Sequence, residues 1–333
     1  MCVPLCAAEP STKPVCGGCH PQEARSQPQT AMGNAIELPY AQELLKAHPK
    51  LRLDANGYTY EIERKNGAGT YTVKDSSGAL TLPIRFGFGA NNQTFVLEYQ
   101  GRFYESLVSY YQNIGGLAPT IGDERLRPHT LVEALGRPLP KEEITACFNC
   151  HGTGGVSKGK LTLETLEPGI ACGHCHQDSA PHFNGMTGGK KGPLPERLGE
   201  MAAEDMSSFC GQCHRTWEAV IAQRVFGQTN VRFQPYRLAN SKCFEGDDKR
   251  IRCTACHDPH AELVHEDSSY DQVCLSCHRQ KQARQAVAGA TQPSCTVATK
   301  DCVSCHMPKV QAQAITYTDH YIRVVRAGDP YPD

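Results

Sequence analysis

A single tryptophan in 333 residues, with a hydrophobic fraction of 39%, leaves little apolar material for a conventional core. Net charge is lacking too: 34 Lys and Arg stand against 35 Asp and Glu, so nothing points to nucleic acid and no such partner is expected. No run approaches the roughly 18 apolar residues that span a bilayer, and no transmembrane segment is expected. The opening MCVPLCAAEP has neither a basic stretch nor a full apolar stretch. It reads as the tail of an export signal, LCAA resembling a cleavage site, and not as a complete one. Val-Pro-Leu before Cys6 fits a lipid-attachment site poorly.

Cysteine, by contrast, is abundant: 18 residues, more than an ordinary cytosolic enzyme carries. The pattern Cys-x-x-Cys-His occurs seven times. The copies are CGGCH (Cys16, Cys19, His20), CFNCH (Cys147, Cys150, His151), CGHCH (Cys172, Cys175, His176) and CGQCH (Cys210, Cys213, His214). CTACH (Cys253, Cys256, His257), CLSCH (Cys274, Cys277, His278) and CVSCH (Cys302, Cys305, His306) complete the set. Composition alone would give about 0.04 copies, from 18 cysteines and 14 histidines in 333 positions.

Two thiols three positions apart can each form a thioether to a haem vinyl group. The next residue then lies under the ring, where its imidazole binds the iron. Zinc knuckles share the cysteine spacing but pair two per metal and give no reason for the histidine. A redox dithiol leaves the histidines equally unexplained. Seven covalently bound haem c groups are therefore expected, with the seven motif histidines as proximal ligands. Attachment of this kind takes place outside the cytoplasm, which points to a periplasmic, extracellular or cell-surface location. Of the remaining cysteines, Cys2 and Cys6 lie in the leader-like stretch. Cys243 and Cys295 are candidates for a disulfide, two free thiols being the alternative.

Six motifs fall within residues 147–306, about one per 27 residues, and one precedes them. That density suggests a mostly α or irregular chain of short helices with a haem-filled core. Residues 53–115 read differently, with alternating β-branched and aromatic residues broken by NG, SSG, NN and QG. Strands are expected near 57–64, 69–75, 79–86, 93–99 and 102–108, forming a small inserted antiparallel module without haem. Its aromatics suit the core of that sheet better than a docking surface. HTLVEALG (129–136) and KEEITACFNCH (141–151) suggest short helices. Three divisions follow: 1–52 with the first haem, 53–115 as the β module, and 116–333 with six haems.

Seven histidines lie outside the motifs, and whether they bind iron separates two functions. An iron held by two imidazoles suits electron transfer, whereas an open one binds substrate. His260 follows His257 by three residues and cannot cross to the far side of the same haem, so it would serve a neighbour. His182, six residues after His176, follows the same logic. His320 in YTDHYIRVV, His129 in RPHT and His48 in KAHPK are further distal candidates. His174 and His265 read as surface residues and Met32 as a packing residue, each a weaker candidate.

RPHTLVEALGRPL, CFNCHGTG, ACGHCHQDSAPH, RFQPYRLANSKC, CTACHDPH, and CVSCHMPK with TDHYIRVV together resemble the bacterial multihaem proteins grouped with cytochrome c-554. They are especially similar to the periplasmic multihaem cytochromes of acidobacteria and their relatives. The resemblance runs from about residue 50 to the end. It implies distal ligands at His182, His260 and His320. Where that family often has a distal histidine, this chain has Ala31, Met32 and Gly33. CVSCHMP is also similar to cytochrome c nitrite reductases, but the CxxCK motif of their catalytic haem does not occur. The leading expectation is an exported heptahaem relay serving redox partner proteins, with haem propionates making it acidic and a basic patch on its partner. The alternatives are a haem enzyme acting on a small nitrogen or sulfur species, and an oligomeric or filamentous conductor docked through the β module.

Overall fold

The computed structural model describes residues 16–39, 43–177, 179–189, 192–194, 197–225, 227–278, 295, 297–326, 328–329 and 331–332. Cys2 and Cys6, with the leader-like stretch, lie outside the described residues.

Alternation in the sequence becomes sheet where polar turns let the chain double back. Among the described residues, three two-stranded pairs lie further along the chain. The strands of the large sheet are β1 (Ile36–Glu37), β2 (Lys50–Ala55), β3 (Tyr58–Lys65), β4 (Ala68–Lys74), β5 (Ala79–Phe88), β6 (Asn92–Tyr99), β7 (Arg102–Tyr111), β8 (Gly116–Pro119) and β9 (Gly136–Pro138). They form one antiparallel sheet in the order β2 to β8, with β1 added to β5 and β9 to β7. Three of the hairpins turn on Asn56-Gly57, Asn66-Gly67 and Gln100-Gly101, every one of these residues at positive φ. That conformation matches the right-handed twist of the strands they join. β3 shows the resulting pattern, with Tyr58, Tyr60 and Ile62 buried and the residues between them more open. The sheet curls until β2 lies beside β8, close to closing a barrel around Tyr60, Ile62, Tyr71, Phe95 and Leu97.

The helices are short. They comprise α1 (Pro21–Ser26), α2 (Glu43–Ala47), α3 (Leu131–Leu135), α4 (Lys141–His151), α5 (Cys172–Cys175) and α6 (Ser179–Thr187). After these come α7 (Ala203–His214), α8 (Trp217–Gln223), α9 (Gln234–Ala239), α10 (Cys253–Cys256), α11 (Asp271–His278) and α12 (Cys302–His306). A second apolar cluster joins the two parts of the molecule. Phe86 and Phe88 of β5 meet Phe148 of α4 edge-on, at 4.9 and 5.3 Å between centroids.

The expected fold class is corrected. The molecule is not a mostly helical, haem-cored chain with a small β module, because its largest body of buried apolar side chains is the interior of a nine-stranded, barrel-like sheet. The five longest strands match the alternating segments closely. Four strands lie outside those segments. β2 has six residues, KLRLDA, which alternate but start before the expected module. β1, β8 and β9 have 2, 4 and 3 residues, too few for a period of two to register. Together they enlarge and curl the sheet. The chain-wide hydrophobic fraction hid how strongly apolar residues concentrate there.

One carboxyl in the sheet region is held at a cost. Burial, with Glu105 nearby, pushes Asp123 up to about 6, and its Oδ2 is buried without a hydrogen-bond partner. Its folded pKa exceeds the unfolded value near 3.9, so ionisation destabilises the fold as pH rises from about 4 through 6. Asp123→Asn is expected to stabilise the protein by about 2 kcal/mol at pH 7.5 and by almost nothing at pH 4. Urea unfolding at the two pH values checks this.

Candidate haem-attachment site

In each motif the cysteines fall on one helical turn, and spacing by three puts both thiols on one face. α4, α7, α11 and α12 end on the motif histidine, whereas in α5 and α10 it is the residue after the last turn. All seven motif histidines line a single cavity of about 3010 Å³. Sites for one small ligand run to roughly 1,000 Å³, so this space is built for several large groups. Thirteen of the fourteen motif cysteines line it too; Cys147 faces the apolar cluster around Phe148.

Thiols of different motifs touch. Cys16 lies beside Cys172, Cys213 beside Cys150, Cys210 beside Cys253 and Cys302 beside Cys274. Cys175 lies near Cys210 and Cys213, and Cys256 lies near Cys274. The attachment turns therefore run in the spatial order first, third, fourth, fifth, sixth, seventh, with the second beside the fourth.

The histidines are prepared as neutral ligands. Burial pushes His151, His176, His214 and His257 below the ordinary imidazole value. His320 falls to about 4, through burial and the neighbouring His257. The neutral ring is the form that binds a metal. Nδ1 of His151 donates to the Ala35 carbonyl at 2.9 Å and Nδ1 of His306 to Arg323 at 2.9 Å. His320 does the same to Thr318 at 3.0 Å. A carbonyl only accepts, so the proton sits on Nδ1 and the Nε2 lone pair is free for iron.

Two pairs of rings combine a motif histidine with one from elsewhere. His176 and His260 lie 6.2 Å apart between centroids, with planes within 6°. His257 and His320 lie 6.1 Å apart, tilted by 47°. Two imidazoles bound to one metal through bonds of about 2.0 Å would have centroids roughly 6.3 Å apart. The residues present thus fit the group that the motifs imply.

The remaining candidates divide. His174, His182, His265 and Met32 line the cavity, His265 being exposed. His182 Nδ1 is buried and has no hydrogen-bond partner. His48 does not join them: its Nε2 is 3.0 Å from the Tyr110 hydroxyl of β7. His129 is exposed at the start of the α3 segment, outside the cavity. The suggested disulfide is not formed. Cys243 and Cys295 are both free, Cys243 being partly buried near Cys274 and Cys277 while Cys295 is exposed. Among the described residues no three His, Cys, Asp or Glu side chains converge as a bare metal-ion site requires.

Sequence reasoning missed the polar framework behind the ligands. Arg237 of α9 and Asp319, both fully buried, form a bidentate pair with two bonds of 2.8 Å. Arg323 adds a third bond to Asp319 at 2.7 Å. Burial raises the Asp319 carboxyl, but these partners outweigh it and hold it below its usual range. Asp319 immediately precedes His320, and the Arg323 carbonyl orients His306, so one network fixes two imidazoles. Asp271 of α11 similarly caps the seventh motif, accepting from the Asp301 and Cys302 amides at 2.7 and 2.8 Å. A charged residue amid apolar ones in RFQPYRLANSKC was the available signal for Arg237.

Comparison with known families matches residues 245–283, the fifth and sixth motifs, to the doubled CXXCH motif. No curated protein and no solved structure matches the chain. The match and the motifs indicate covalently bound haem c and a c-type cytochrome.

Removing Arg237 leaves Asp319 buried beside Arg323 alone. Arg237→Leu is expected to cost about 3 kcal/mol in denaturant unfolding, and Arg237→Leu/Asp319→Leu to restore part of it.

Proposed function

We propose that this chain is an exported heptahaem cytochrome, similar to the cytochrome c-554 group, that relays electrons between redox partner proteins in the periplasm or at the cell surface. The observation that carries this reading is the meeting of all seven motif histidines around one cavity, with thiols of different motifs in contact. Bound haem supplies one-electron chemistry at iron, with a potential set by axial ligands, burial and hydrogen bonding. The chain's part is placement. Its cysteines fix each attachment point, and contact between successive turns keeps the points close.

In this reading His176 and His260 hold one iron and His257 and His320 another, as their ring separations support. Neighbouring His257 and His260 thereby serve different irons, tying two cofactors to one short turn of chain. The order of thiol contacts makes a line from the first motif to the seventh, with the second as a branch at the fourth. Electrons would enter and leave at the ends of that arrangement. The β-sheet covers the branch, since Phe88 meets His151 edge-on at 5.1 Å.

Denatured holoprotein is expected to carry seven haem groups by mass and by pyridine haemochrome absorbance. His260→Ala and His320→Ala are each expected to convert one low-spin ferric signal in the EPR spectrum to high-spin, leaving the haem count unchanged. Fewer than seven haems, or no spectral change in either variant, would contradict the assignment.

A further inference from the structure

We infer that the second attachment site, at Cys147, Cys150 and His151, stores an electron beside the relay instead of passing it on. The inference rests on the relay proposed above and gives one of its sites a different task. Position is the first observation. The thiol contact of this site is with the fourth turn, through Cys150 and Cys213, off the line that joins the others. Behind it stands the sheet, where Phe88 meets His151 edge-on at 5.1 Å. A site reached through one neighbour fills and empties, but current along the line bypasses it.

The surroundings are the second observation. Of the three apolar clusters among the described residues, the one around Phe86, Phe88 and Phe148 is the one that includes motif residues, Cys147 and Phe148. Phe148 is fully buried, and Leu166 packs over Gly152, the residue after His151. A ferric haem with two neutral ligands carries one positive charge more than the ferrous form. Apolar burial penalises that charge and so raises the reduction potential. The Ala35 carbonyl holds the Nδ1 proton of His151 without adding negative charge. Glu105 and Glu143, the carboxylates that face Cys147, are both paired with Arg137.

The third site is built the opposite way. Oδ1 of Asp258 lies 3.3 Å from Nδ1 of His260, and both side chains are open to solvent. A carboxylate beside a ligand imidazole raises its basicity, which favours the ferric state. The iron assigned to His176 and His260 is therefore the more reducing one. Cys175 of the third turn lies near Cys213 of the fourth, which touches Cys150 of the second, so the two sites are one step removed from each other. Filling the store moves one electron from ferrous iron at the fourth site to ferric iron at the second. The fourth is reduced again along the line by the electron-donating partner protein, and no bond changes.

The test is a potentiometric titration of the holoprotein followed by EPR, with haem counted separately by pyridine haemochrome. One component is expected to be reduced before the other six. Phe88→Gln, which sets a polar group against His151, should weaken reduction of that component about tenfold, or ~59 mV for one electron. Phe88→Leu should leave it in place, and Asp258→Asn should raise a different, lower component. A highest component that ignores Phe88→Gln, or that moves in Asp258→Asn, would overturn the store while leaving the relay intact. If Phe88→Gln fails to mature, Leu166→Gln, on the partly open flank of the same cluster, reads the same component with the same two outcomes. A wild-type haem content below seven would instead contradict the reading on which the inference rests.

Discussion

Keeping imidazoles neutral and aimed is the constraint on which the haem-binding half of this molecule depends. Water would protonate many of them near pH 6.5 and let the rings turn. The chain answers with burial, which lowers the pKa of His151, His176, His214, His257 and His320, and with backbone carbonyls, which fix the proton on Nδ1 of three rings. For His151 and His306 the carbonyls come from other segments, 116 and 17 positions away. Ala35 precedes the sheet, and Arg323 lies in the C-terminal stretch. Ligand orientation is therefore a product of tertiary structure, although the ligands themselves sit in five-residue motifs.

The two halves stabilise themselves differently. The sheet has an aromatic and aliphatic interior of the usual kind, closed by tight Asn-Gly and Gln-Gly turns. The motif-bearing region has few apolar clusters of its own, the clearest being Val220, Phe233 and Tyr236. It relies instead on short helices, on caps such as Asp271, and on the buried Arg237–Asp319–Arg323 network. A buried ion pair contributes little net stability, but losing one member is costly, so it serves better to fix a geometry than to strengthen a fold. Here the geometry fixed is that of His320 and His306. Phe86, Phe88 and Phe148 then lock the halves together beside the second motif.

The legible features were those with a local repeat. Five strands of 7 to 10 residues, the helix Lys141–His151 and every Cys-x-x-Cys-His turn follow from spacing along the chain. Three-residue spacing made legible that His260 is directed away from the ring of His257, and the structure places it beside His176 instead. What could not be read depends on distant segments meeting. The two- to four-residue strands that enlarge the sheet carry no period, and the Arg237–Asp319 pair spans 82 positions. The free state of Cys243 and Cys295, and the removal of His48 to the sheet, are likewise matters of tertiary placement.

The central claim is that one cavity gathers seven haem-binding turns and pairs His176 with His260 and His257 with His320. The most direct measurement is an anomalous difference map at the iron edge from crystals of the holoprotein. The account predicts seven iron peaks within the cavity, one between His176 and His260 and one between His257 and His320. Fewer peaks, or irons at His176 and His257 with His260 and His320 turned away, would contradict it.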